Sequence, residues 1–207
     1  MGADYGAKKP GEGGGGVVSL RDLDQLAGRH FPMCMSHLFS RLKEDSHLRY
    51  NGRMQLGLFL KGVGLPLEDS LAFWKMEFTK GGKMTGEAWE KAHGYNVRHN
   101  YGKEGKRADY TPYSCSKVIS ASPGVGEHHG CPFRTFREDN LRAALGQLRL
   151  TGPQVSDVMG KVKGHHYQLA CGAVFEAIHG QALEAGVQHP NQYFEDSRAI
   201  ASAKEGG

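Results

Sequence analysis

"EHHGCPFR", residues 127–134, places a cysteine directly before a proline in a Gly/His turn. A core thiol needs no such setting. A ligand thiol benefits from it, because proline fixes the local φ and brings no competing N–H. Working outward from Cys131, the chain holds three more cysteines: Cys34, Cys115 and Cys171. Cys34 follows Pro32, and Cys115 stands three residues after Pro112. The intervening lengths are 80, 15 and 39 residues, so no pair forms the C-x-x-C knuckle of structural zinc. Thiolates from distant segments can still share an iron–sulfur cluster. His128 and His129 beside Cys131, with His165 and His166 near Cys171, also allow a mixed Cys/His zinc site. Four inert core thiols are the third reading. On spacing alone these three stand level.

The rest of the chain bounds the class. Its 207 residues suit one sizeable domain or two small ones. Apolar residues make up 39% and charged residues 23%, so most of the chain is expected to fold. The net charge of +4 permits an anionic partner if the charge is clustered, but does not demand one. Apolar runs such as "LGLFL" are far too short to span a bilayer, so no membrane partner is expected. The polar opening "MGADYGAKKPGEGGGG" does not have the form of a signal peptide, which points to a reducing compartment where disulfides are rare. Residues 1–17 read as a disordered linker and 201–207 as a disordered tail, with a folded domain over 18–200.

Between those ends the periodicity is mainly helical. Ser19 with Asp22 forms an acidic capping box ahead of "LDQLAGRH". Met35, Leu38, Phe39 and Leu42 share one helical face, and Leu67, Leu71, Trp74 and Phe78 another. "RMQLGLFLKGVG" reads as a helix with a Gly stop, and "GEAWEKA" as a shorter one. Helices return at "EDNLRAALGQLRL", "PQVSDVMGKVK" and "HHYQLACGAVFEAIHG", the second of them started by Thr151 and Pro153. Residues 95–123, rich in Gly, Tyr, Asn and Lys, read as loop with short strands.

Two basic stretches carry interleaved aromatics. The first holds His47, Arg49, Arg53 and Lys61 with Tyr50 and Met54, close to a helix N-terminus that itself favours anions. The second holds Arg98, His99, Lys103, Lys106 and Arg107 with Tyr95, Tyr101 and Tyr110. Cations bind phosphate and aromatic faces stack bases. The competing reading is a solvated loop and an ordinary basic helix face, with Met54, Phe73, Trp74 and Phe78 in the core. No P-loop, nucleophile–base motif or catalytic Asp pair stands out.

The words "FPMCMSHL", "LRYNGRMQLGLFLKGVGL", "FWKMEF", "YNVRHNYGKEGKRADYTPYSC", "HGCPFR" and "NQYF", in that order, resemble the C-terminal domain of the eukaryotic and archaeal DNA primase large subunit. The resemblance runs from about Ser19 to Ile200 and is nearest the eukaryotic members. It implies a mainly α, irregular helical domain organised around one 4Fe–4S cluster on Cys34, Cys115, Cys131 and Cys171. It implies that Pro132 ends local regular structure so that the Cys131 thiolate faces iron. It also implies a non-catalytic role in primer initiation, binding the template 3′ side and the 5′-triphosphate end of the RNA primer. His47, Arg49, Arg53, Met54, Lys61, Asn96 and His99 fall on the family's nucleic-acid surface, with Lys103, Lys106 and Arg107 as further phosphate contacts. Implied partners are template DNA, RNA primer, the primase small subunit that performs nucleotidyl transfer, and the DNA polymerase alpha complex, in the nucleus. Leu56 and His93 depart from the family, which commonly carries a tyrosine and another aromatic there. The alternative outside this family is a stand-alone metal or redox protein with a Cys/His zinc or iron–sulfur site.

Overall fold

A computed structural model describes residues 18–207; the stretch 1–17, expected to be disordered, lies outside the described residues. A 3₁₀ turn at Leu20–Asp22 opens the fold, and the Asp22 carboxylate accepts from the Ser19 backbone N–H (3.1 Å) and hydroxyl (2.6 Å). Four helices follow: α1 (Leu23–His30), α2 (Met33–Asp45), α3 (Tyr50–Gly62) and α4 (Leu67–Thr79). α2 buries Met35, Leu38, Phe39 and Leu42, the face its period predicts. α3 differs: it is buried continuously from Gln55 to Gly62, as a central helix must be. Its end is pressed so closely that a Cβ on Gly62 would lie 2.5 Å from Pro112 Cγ and 2.6 Å from Asn191 Nδ2.

The expected short helix continues much further. α5 (Gly86–Trp89) passes through a π-helical turn (Glu90–Gly94) into α6 (Tyr95–Asn100). The middle segment read as loop with short strands is therefore helical at its start. It is helical again at α7 (Cys115–Ser120), and no strand occurs among the described residues. The polar, aromatic composition that suggested loop reflects the exposure of one face of α6; Val97 and Asn100 on the other face are buried.

The C-terminal half comprises α8 (Pro132–Thr135), α9 (Glu138–Gln147), α10 (Gly152–Lys163), α11 (Tyr167–His179) and α12 (Pro190–Glu205). Thr151 caps α10 through a capping box with Gln154. Pro132 occupies the first turn of α8, so it starts a helix rather than ending regular structure; its missing N–H is one that a helix start leaves unpaired in any case. α12 runs on to Glu205, so residues 201–205 are helical and the expected tail is shorter. No helix among the described residues is long and apolar enough to cross a membrane.

Among the described residues three apolar clusters form the interior. One gathers α1–α6 with Phe194 of α12, a second gathers Met33 with α7–α11, and a small third holds Phe175, Val187 and Tyr193. Asn191 reaches back from α12 and donates to the Phe59 carbonyl at 3.1 Å.

Candidate metal centre and nucleic-acid face

The four cysteines stand where these clusters meet. Cys34 packs on the first and second clusters, Cys171 on the second and third, Cys115 on the third, and Cys131 belongs to the second. All four line one pocket, with Val118, Ile119, Phe133 and Val187 among its apolar walls. Local structure brings three of them to helix starts: Cys34 in the first turn of α2, Cys115 opening α7, and Cys131 capping α8. Cys171 lies inside α11.

All four thiols are free. Burial pushes every one of them up, Cys115 to about 12. The neighbouring cysteines add to this at Cys34, Cys115 and Cys171. At Cys131 the backbone N–H groups of Phe133 and Arg134 oppose it. Four thiols all raised by burial in an apolar pocket are poorly matched to free thiolates. They are well matched to a cationic metal group, which deprotonates a coordinating thiol outright. The donor set therefore fits a thiolate-bound cluster. Among the described residues no group of three or more His, Cys, Asp or Glu side chains converges to hold a metal ion. None of His128, His129, His165 and His166 lines the cysteine pocket. His128 instead packs on His37, and His165 bonds to the Tyr167 hydroxyl at 2.8 Å.

The cysteine loop is fastened to α3. Gln55, 2% exposed, accepts from the Gly130 N–H at 2.9 Å and donates to its carbonyl at 3.4 Å. Gly130, with φ +92°, precedes Cys131. Sequence reasoning missed Gln55; its polar type on an otherwise apolar helix face was the available signal. Toward the N-terminus of α3, Asn51 donates to Glu127 at 3.3 Å, and Gly126 leaves room for the Arg49 guanidinium.

The face of α3 and α6 collects most of the expected nucleic-acid residues. Arg49 caps α3, and the Arg53 guanidinium lies 5.7 Å from the centre of the Tyr50 ring while Nη1 donates to the Leu48 carbonyl at 2.8 Å. His47 and His93 are pushed down, first by burial and then by the Arg53 charge, so the arginines carry the positive charge here near neutrality. Asn96 shares a crevice with Arg53, and Met54 sulfur accepts from Asn100 at 3.6 Å. His99 lies between Tyr95 and Tyr110, at 5.9 and 4.9 Å. Lys103, Lys106 and Arg107 are exposed on the following loop.

Lys61 is placed differently. It is 3% exposed, and its ammonium bonds Asp109 (2.5 Å) and the Tyr110 carbonyl (2.8 Å), which anchors the 109–110 segment. Trp74 is packed in the core, as expected. Leu56 is fully buried, and His93 sits against Phe78 and Trp89, taking an aromatic's place with an imidazole.

Comparison with known proteins identifies the family. The family model for the C-terminal domain of the eukaryotic and archaeal DNA primase large subunit matches residues 24–194. A "Probable DNA primase large subunit" of Arabidopsis thaliana is 58% identical over 187 residues, covering 90% of this chain and 41% of its own length. The "DNA primase large subunit" of Homo sapiens is 46% identical over 201 residues, covering 96% and 38%, and that of Saccharomyces cerevisiae 43% over 184, covering 85% and 35%. The chain thus spans about two-fifths of the length of these relatives. It belongs to the family formed by the C-terminal domains of eukaryotic and archaeal DNA primase large subunits.

Proposed function

We propose that this chain is a non-catalytic, nucleic-acid-binding part of DNA primase, built around a 4Fe–4S cluster on Cys34, Cys115, Cys131 and Cys171. The observation that carries the reading is the gathering of four cysteines, dispersed from position 34 to 171, around one apolar pocket. None of His128, His129, His165 and His166 lines that pocket, so the donors it offers are thiolates from four separate segments, a set that an iron–sulfur cluster takes. Bound there, the cluster supplies iron–thiolate bonds that tie four segments to one centre.

The nucleic-acid role rests on the face beside it. A 5′-triphosphate is multiply anionic and calls for several fixed cations. Arg49 and Arg53 stand at and just inside the N-terminus of α3, with Tyr50, Tyr95 and Tyr110 as flat surfaces for bases or sugars. In this reading the face holds the template 3′ side and the primer 5′ end while the small subunit performs nucleotidyl transfer. The DNA polymerase alpha complex in the nucleus takes over the primer. The test is binding of the iron-loaded chain to RNA-primed template carrying a 5′-triphosphate or a 5′-hydroxyl. Tighter binding of the triphosphate end, with no primer extension, is expected; equal affinity for both ends, or extension by the chain alone, contradicts it.

A further inference from the structure

A second cavity lies directly under the α3–α6 face. Arg53, Ser70, Trp89 and Asn100 are among its lining residues, drawn from α3, α4, α5 and α6. Trp89 is 1% exposed and Asn100 5%. Arg53 Nε, Trp89 Nε1 and Asn100 Oδ1 are all buried and without a hydrogen-bond partner. Unpaired buried polar atoms are rare, because each costs the desolvation of its group. With Ser70 Oγ there are four of them on the walls of one cavity, and they mark a site built for a small polar occupant. Ser70 Oγ is buried without a partner, while the Tyr101 hydroxyl beside the cavity is already used on the Leu65 carbonyl at 2.6 Å. The cavity measures about 20 Å³. One ordered water requires roughly 10–15 Å³ and two to four polar partners, so there is room for one water and nothing much larger.

We propose that one ordered water occupies this cavity and fixes the Arg53 side chain beneath the nucleic-acid face. The water accepts from Trp89 Nε1 and Arg53 Nε and donates to Asn100 Oδ1, with its second proton directed to Ser70. Arg53 Nη1 is already held by the Leu48 carbonyl. Anchored at both atoms, the guanidinium keeps Nη2 for an anion and loses little further rotamer freedom on binding. This positioning role rests on the reading of Arg53 as a triphosphate contact; the water itself does not.

A crystal structure of the chain at a resolution that shows ordered solvent tests the site. Density within hydrogen-bond distance of Trp89 Nε1 and Asn100 Oδ1 is expected, and a cavity without density overturns the proposal. The positioning role is read from a double-mutant cycle of Trp89→Phe and Arg53→Ala on primer–template affinity. Folded Trp89→Phe is expected to bind the triphosphate end roughly three- to tenfold more weakly. It should add nothing in the Arg53→Ala background. Additive losses overturn the link from Trp89 to Arg53. A wild-type chain with the water in place but no affinity for nucleic acid overturns the binding reading instead.

Discussion

Gln55 is the residue that ties the Gly130 turn to α3. Its amide pairs with both backbone groups of Gly130, one residue before Cys131, from the same helix that carries Arg49, Arg53 and Met54. Gln55→Leu leaves the buried Gly130 N–H unpaired and is expected to cost about 2 kcal/mol. Denaturant unfolding would show it, together with lowered iron retention, while an unchanged midpoint would remove Gln55 from this role. His30 makes a second prediction. Burial and the charges of Arg29, Arg198 and His179 hold its pKa at about 4, below the usual 6.5, and its Nδ1 meets Ser197 Oγ at 2.7 Å. The unfolded chain therefore binds the extra proton between about pH 6.5 and 4. Neutral His30 contributes stability above that window, which is lost as pH falls through it. The melting temperature should drop across the window, with a shallower slope in His30→Gln; identical slopes would contradict the assignment. Neither residue is singled out by the sequence. A lone Gln or His among apolar neighbours shows its role only once its partner, 75 or 167 positions away, is folded against it.

Helix α3 is the element that joins the cysteine pocket to the candidate nucleic-acid face. Its apolar run and Gly stop are visible in the sequence, and so is the cationic cluster at its start. What periodicity could not separate was Lys61 from the other cations. All sit in one basic stretch, yet Lys61 lies among the buried residues of the last turn and is spent on Asp109. Likewise the Gly/Tyr/Lys-rich segment hid α6, because helical period is weak when one face is polar and the helix continues a π turn. Arg49→Ala and Arg53→Ala are each expected to weaken binding of a 5′-triphosphate end by roughly tenfold, and that of a 5′-hydroxyl end less. Affinity should also fall steeply as salt rises from about 50 to 200 mM, with a smaller log–log slope in each variant. Titrations by fluorescence anisotropy check both statements. Equal losses for the two ends would leave the arginines as general backbone contacts.

Across the whole molecule the cysteines do what no single helix does: they link three separate apolar clusters. The mainly helical class, most helix positions and the ligand candidates were legible from periodicity and from cysteines near prolines. Their convergence was not, because nothing in spacings of 80, 15 and 39 residues fixes how distant helices pack; there the resemblance to a family carried what the residues alone left open. Replacing Cys171, which lies inside α11 and packs on two clusters, by Ser is expected to abolish the cluster and lower the melting temperature by several degrees. A Cys171→Ser chain with full iron and an unchanged melt would contradict that. The most direct measurement of the central claim is iron and acid-labile sulfide per chain, on protein purified without air, with its visible spectrum. The account predicts about four of each and the broad brown absorbance of a cluster held by four thiolates. A folded chain with zinc and no sulfide, or with no metal at all, would contradict it.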